Sequence, residues 1–200
     1  MALTLVNAPA ADAVSLADVK AQLRIDHATE DAALLKATRA AAAYLTGRDG
    51  WSGLALITQE WDLTLDEFPC GYGRREPWPR NVAIRVPLKP LQSVTSLKYV
   101  DTAGAPQTLD PVKYVVHPSE EPGLIVPAYG EVWPSTRCQI GAVTARVKVG
   151  YGAGAASIPD PVRHALLILV GHFYEHRDDD APVPVVIDAL LANHRLWGAA

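Results

Sequence analysis

The chain has 200 residues, of which 49% are hydrophobic and 20% charged, and a formal net charge of −4. That profile fits one folded domain, or a core domain carrying an insertion, and it excludes disorder as the general state. The acidic balance argues against a dedicated nucleic-acid binder, which carries a basic surface. The two cysteines, Cys70 and Cys138, lie far apart and have no zinc-type spacing. Residues 1–10 show no basic-then-apolar leader. The longest apolar run, around residues 165–170, falls short of the roughly 20 residues that span a bilayer. The expectation is a protein made in the cytoplasm, with no membrane partner.

In chain order, helices come first. Ser15 is a good N-cap with Asp18 in the first turn, and Leu16, Val19 and Leu23 share one helical face. After a break at Asp26-His27-Ala28, Thr29 is expected to cap a second helix whose buried stripe is Leu34, Ala37, Ala41, Tyr44 and Leu45. Gly47 is a candidate C-terminal cap. From Leu56 the period becomes two. Trp61, Leu63 and Leu65 alternate with Asp62, Thr64 and Asp66. Further strands are expected at 82–86, 94–100, 114–116, 124–126 and 142–149, with a turn at Asp101-Thr102-Ala103-Gly104. The intervening prolines fit edges and loops.

Helix signals return at Ser157, which with Asp160 resembles a capping box, and Pro159 suits a first turn. Val162, Leu166, Leu169, Val170 and Phe173 give this helix a wide apolar face. Asp178-Asp179-Asp180 reads as a loop. A last helix is expected over 185–197, with Val186, Leu190 and Trp197 inward. The fold class implied is α+β: a helical bundle from the N- and C-terminal segments with an inserted small antiparallel β unit. The expected divisions are 1–55, 56–150 and 151–200.

Residues 70–100 hold six basic residues (Arg74, Arg75, Arg80, Arg85, Lys89, Lys98) against Glu76, a local charge of +5 that leaves −9 on the rest of a chain of −4. A basic lobe on an acidic body suggests an oriented assembly surface or a solvated loop. Trp and Arg are the residue types most enriched at binding hot spots. Arg74, Arg75, Trp78 and Arg80 are therefore the first candidate interface, against a loop-anchoring role for Trp78. The end of the chain, with Val186, Leu190, Arg195 and Trp197, is the second, since a short amphipathic segment after an acidic loop can dock in a neighbour's groove.

Catalytic motifs are weaker. His172-Phe173-Tyr174-Glu175-His176 has the H-x-x-E-H spacing of inverted zinc peptidases, with both His one turn apart. A catalytic zinc needs a third protein ligand, and no Glu follows residue 176. The motif overlaps the face carrying Phe173, so at least one His is expected to point elsewhere. Gly150-Tyr151-Gly152-Ala153-Gly154 lies between strand and helix, the setting of a phosphate-cradling loop, but it lacks the P-loop and dinucleotide signatures. A strand-to-helix hinge is the plainer reading. No nucleophile constellation and no cofactor or metal site are expected.

Several phrases, in order, carry a resemblance: Ser15 to Asp26 (SLADVKAQLRID); Glu30-Asp31 opening an Ala-rich helix that ends at Thr46-Gly47-Arg48; Thr58-Gln59-Glu60-Trp61-Asp62-Leu63 running to Asp66-Glu67-Phe68-Pro69; Val86-Pro87-Leu88-Lys89-Pro90-Leu91-Gln92-Ser93-Val94; Tyr99-Val100-Asp101; Trp133-Pro134; Val149-Gly150-Tyr151-Gly152; Ile158-Pro159-Asp160-Pro161-Val162; and Tyr174-Glu175-His176-Arg177. Together they run from about residue 15 to about residue 195, and the chain resembles the head–tail connector, or adaptor, family of tailed bacteriophages and gene transfer agents. The resemblance implies a non-catalytic structural subunit in a ring of about twelve copies, closed by heterologous contacts. Its implied partners are the portal protein, a tail-side stopper or tail-completion protein and further copies of itself. DNA would pass through without specific binding. The place implied is the head–tail junction of a particle assembled from protein made in a bacterial cytoplasm. The loop at 70–80 looks longer and more basic than the family suggests. Two other readings compete: another neck ring protein, such as a stopper or tail-completion protein, and a zinc hydrolase using His172 and His176.

Overall fold

The computed structural model describes residues 1–46, 53–70, 78–177 and 181–194. Two compact units emerge: Met1–Ala8 with Gln59–Gly150, and Pro9–Thr58 with Tyr151–Ala200. The first is the β unit and the second the helical unit.

The β unit is built from strands β1 (Ala2–Asn7), β2 (Gln59–Leu65), β3 (Ile84–Val86), β4 (Leu91–Val100), β5 (Pro106–Thr108), β6 (Tyr114–His117), β7 (Gly123–Pro127) and β8 (Val143–Val149). They form a five-stranded sheet in the order β1-β2-β8-β4-β5 and a three-stranded sheet in the order β3-β7-β6. Every strand pairing is antiparallel. The two-residue period in the sequence becomes two faces. Trp61 lies opposite Val147, and Leu63 opposite Ala145, on the buried face. On the other face Asp62 lies opposite Arg146 and takes a bidentate pair from it, with both contacts at 2.8 Å. β7 is buried along its whole length, the mark of a strand covered on both faces. Gly123 shows how closely it passes β4: a Cβ there would meet Leu91 Cδ2 at 2.7 Å.

Two strands depart from the sequence reading. Ala2–Asn7 is a strand on β2, with Leu3 opposite Leu63 and Leu5 opposite Trp61, where the sequence reading marks no element. Its signal is weak because the partner lies some sixty residues away, so no local hairpin marks it. β5 is three residues long and starts on a proline, tolerable at a sheet edge. Asp101 organises the turn before it. Its Oδ1 accepts the N–H groups of Ala103 (3.0 Å) and Ala105 (2.9 Å), and its Oδ2 accepts Gln107 Nε2 (2.9 Å). These bonds, the Gln107 one foremost, hold its carboxyl below the ordinary value.

The helical unit contains α1 (Leu16–Leu23), α2 (Asp31–Leu45), α3 (Asp160–Glu175) and α4 (Val186–Leu191). Ser15 caps α1 by accepting the Asp18 N–H. α1 stops at Arg24, which takes a left-handed conformation at φ 57° and ends the helix before Asp26. Leu34, Ala37, Ala41 and Leu45 of α2 join Val162, Leu166, Leu169 and Val170 of α3 in one core, with Val19, Ile187 and Leu191. Gly171 lets α1 approach α3: a Cβ there would stand 3.2 Å from Leu23 Cδ2.

The expected helical bundle is corrected to a looser α+β arrangement. Only α2 and α3 are long, at 15 and 16 residues, whereas α1 has 8 and α4 has 6. Three local expectations also change. Thr29 does not cap α2. Glu30 occupies that position without a side-chain cap bond, because its carboxylate is taken by Tyr174. Ser157 does not cap α3 but ends a short 3₁₀ turn, Ala155–Ser157, and Pro159 precedes the helix. Tyr44 is exposed beside the stripe and meets Phe173 edge-on at 6.0 Å. The expected cap at Gly47 and the loop at 178–180 lie outside the described residues.

Candidate interface

Of the first candidate interface, Arg74 and Arg75 lie outside the described residues. Trp78 is 53% exposed. Arg80 is not a free positive charge, because Glu120 pairs with it at 2.8 Å. Lys89 is similar: its side chain is buried and its amine meets Glu121 at 2.7 Å. The basic lobe is thus partly neutralised by acids some 30 to 40 residues downstream, which no local charge count reveals.

Trp78 instead lines a hollow of about 440 Å³ together with Glu67, Phe68, Val132, Trp133 and Pro134. Phe68 and Trp133 stack at 4.8 Å with their planes 10° apart. The Trp133 indole N–H donates to Val82 O at 2.7 Å. Sequence reasoning found Trp78 and missed Glu67, Phe68 and Trp133 as its neighbours. The available signal was two aromatic-proline pairs, Phe68-Pro69 and Trp133-Pro134, in loops flanking the strands.

In the second candidate interface the phase of the last helix is corrected. Val186 is exposed, and Ile187 and Leu191 face the core instead. Leu190 is half-buried against that core, while Arg195 and Trp197 lie outside the described residues. The sequence offers Val185, Val186 and Ile187 in a row, so hydrophobicity alone does not fix which one turns inward.

The histidine expectation also changes. His172 and His176 do share a face, with ring centroids 4.8 Å apart, because positions four apart stack along a helix. His172 is buried. Among the described residues no group of three or more His, Cys, Asp or Glu could hold a metal ion.

The glycine-rich segment is tied down by its own backbone. Gly150 N–H donates to Pro90 O at 2.9 Å, Tyr151 N–H to Leu56 O at 3.4 Å, and Gly152 O accepts Thr58 N–H at 2.8 Å. A Cβ on Gly152 would collide with the Ser157 side chain. Two amides that a phosphate would need are therefore already engaged.

The helical unit carries one polar cluster that the sequence phrases contain without joining. Tyr174 donates its hydroxyl hydrogen bond to Glu30, Arg177 lies over the Tyr174 ring at 4.7 Å, and Lys20 pairs with Asp31 at 2.7 Å. The bond to Glu30, then burial, raises the Tyr174 hydroxyl above its ordinary value. Glu30-Asp31 and Tyr174–Arg177, far apart in the chain, are thus one fastening. No helix among the described residues is long and apolar enough to cross a membrane.

No family model matches the chain, and no curated protein matches it. Solved structures do. A chain of the virion of a native gene transfer agent particle aligns with a TM-score of 0.78 and 28% identity, covering 98% of this chain and 96% of that one. A chain from the neck of an empty gene transfer agent particle, computed with C6 symmetry, gives 0.76 and 26% over the same shares. A chain from the neck of the native particle, computed with C12 symmetry, gives 0.74 and 27%, again over the same shares. In fold the chain is similar to chains of the gene transfer agent virion and neck, which agrees with the resemblance its sequence phrases carry.

Proposed function

We propose that this chain is a non-catalytic structural subunit of the neck of a phage-like particle. Within the neck we assign it the adaptor role: a ring of about twelve copies between the portal and a tail-side stopper or tail-completion protein. The observation that carries this reading is the near end-to-end likeness to chains from gene transfer agent virions and necks. The C6 and C12 symmetries of those neck structures support a cyclic arrangement. The net charge of −4 suits a conduit, since each phosphate contact adds affinity and would slow passing DNA.

The portal-facing part in this reading is the end of the chain, with Val186, Leu190, Arg195 and Trp197. Val185 and Val186 are exposed apolar side chains at the start of α4, as a docking segment requires. The double variant Val185→Asp/Val186→Asp, which changes exposed side chains and leaves the core residues Ile187 and Leu191 in place, should abolish capture by the portal protein of the same particle while leaving helix and strand content intact by circular dichroism. Undiminished capture would refute the portal assignment. Co-purification with tail-side proteins in place of the portal would move the chain to the stopper or tail-completion position. Stoichiometric zinc in the purified protein would favour the hydrolase over any structural role.

A further inference from the structure

The hollow beside Trp78 has a chemistry opposite to that of the basic stretch in which Trp78 lies. Its aromatic wall is fixed before anything binds. Trp133 is held on its face by Phe68 and at its nitrogen by Val82 O, so docking against it costs little side-chain entropy. Beside that wall stand apolar side chains that the fold leaves in water: Trp78 is 53% exposed and Val132 83%. Side chains this apolar and this open mark contact surfaces when they adjoin a concavity.

Charge selects the occupant. The charged side chains among the described residues lining the hollow are both acidic, Glu67 and Glu131. Neither makes an ion pair among the described residues, and the nearby Arg80 is held by Glu120. An arginine satisfies both features of the site at once. Its planar guanidinium stacks on indole faces and pairs with carboxylates, and its methylene stem covers apolar surface. A phosphate or a nucleic acid would meet two carboxylates that no described residue pairs.

We infer that this hollow is a docking pocket for an arginine side chain presented by an apolar segment of a partner protein. The inference deepens the neck-subunit reading by stating what the partner must offer. Its test needs no assembled particle, so failure of the pocket and failure of the neck assignment are separate results.

The full chain is titrated with acetyl-Ala-Leu-Arg-Leu-Ala-amide, following tryptophan fluorescence and the indole N–H resonances of Trp78 and Trp133. Saturable binding is expected, weakened about tenfold when citrulline replaces arginine and about tenfold in the double variant Glu67→Gln/Glu131→Gln. An unshifted Trp133 indole resonance in the free double variant checks that the bond to Val82 survives. No saturable shift by about 10 mM peptide, well above a useful docking affinity, would overturn the inference. So would equal binding of the citrulline peptide. Binding that appears only in Arg74→Ala/Arg75→Ala would show that the chain's own arginines fill the pocket, and would overturn it too.

Discussion

The β unit and the helical unit bury apolar side chains by opposite periods, and they differ in what they leave outside. In β8, Val143, Ala145, Val147 and Val149 point inward while Arg146 pairs with Asp62 on the outer face. In α2 the buried positions are Leu34, Ala37, Ala41 and Leu45, and the alanines let α3 come close. Among the exposed apolar side chains of the β unit, Trp78, Tyr129, Val132 and Ile140 lie outside its strands, whereas Leu5 and Val6 lie in β1 and Val115 in β6. In the helical unit Val185 and Val186 lie at the entrance to its shortest helix, and Tyr44 lies on the outer side of α2. In both units the regular elements build the scaffold, and the most exposed of these side chains lie on irregular segments.

Substitutions can sharpen that contrast. The largest effect is expected in the helical core: Leu166→Ala removes a fully buried side chain and should cost about 2–5 kcal/mol, read by urea denaturation. Next comes the crowded crossing in the β unit. Gly123→Ala drives a methyl into Leu91 and should cost about 1–3 kcal/mol in the same assay. An alanine there without cost would mean that β7 does not pass β4 so closely.

Asp101 of the β unit and Tyr174 of the helical unit titrate at opposite ends of the pH scale. The Asp101 carboxyl sits below its ordinary 3.8 in the fold. Its contribution is therefore present above that pH and lost as the pH falls through the depressed value. Asp101→Asn should flatten the acid limb of the stability profile. The Tyr174 hydroxyl sits above its ordinary 10.0, so its contribution is present below that pH and lost as the pH rises through the raised value. Tyr174→Phe should remove part of the alkaline limb, a smaller change. Tyr114 in the β unit is also raised, by burial first and Asp110 second, and adds to the alkaline limb. The smallest effect is expected at Trp78. Trp78→Ala should change stability by no more than about 0.5 kcal/mol while weakening partner binding in the titration above; a large loss of stability would make Trp78 an anchor of the fold.

The sequence made the regular elements legible wherever the period was strong and the partner near. The alternation at Trp61 and Leu63 and the stripe from Val162 to Val170 are where periodicity suggests. β1 was not legible, because its six residues gain their meaning only from β2. The phase of α4 was hidden by three consecutive branched apolar residues. The interface was half-legible. Trp78 stood out by type, but Glu67 and Glu131 look ordinary in sequence, and the neutralising acids Glu120 and Glu121 reach Arg80 and Lys89 only through the fold.

Electron cryomicroscopy of particle necks assembled with and without this chain bears most directly on its role. The neck-subunit account predicts repeated copies of this two-unit fold arranged cyclically about the particle axis, and necks that fail to join head to tail when the chain is missing. Complete, joined necks formed without it would contradict the account.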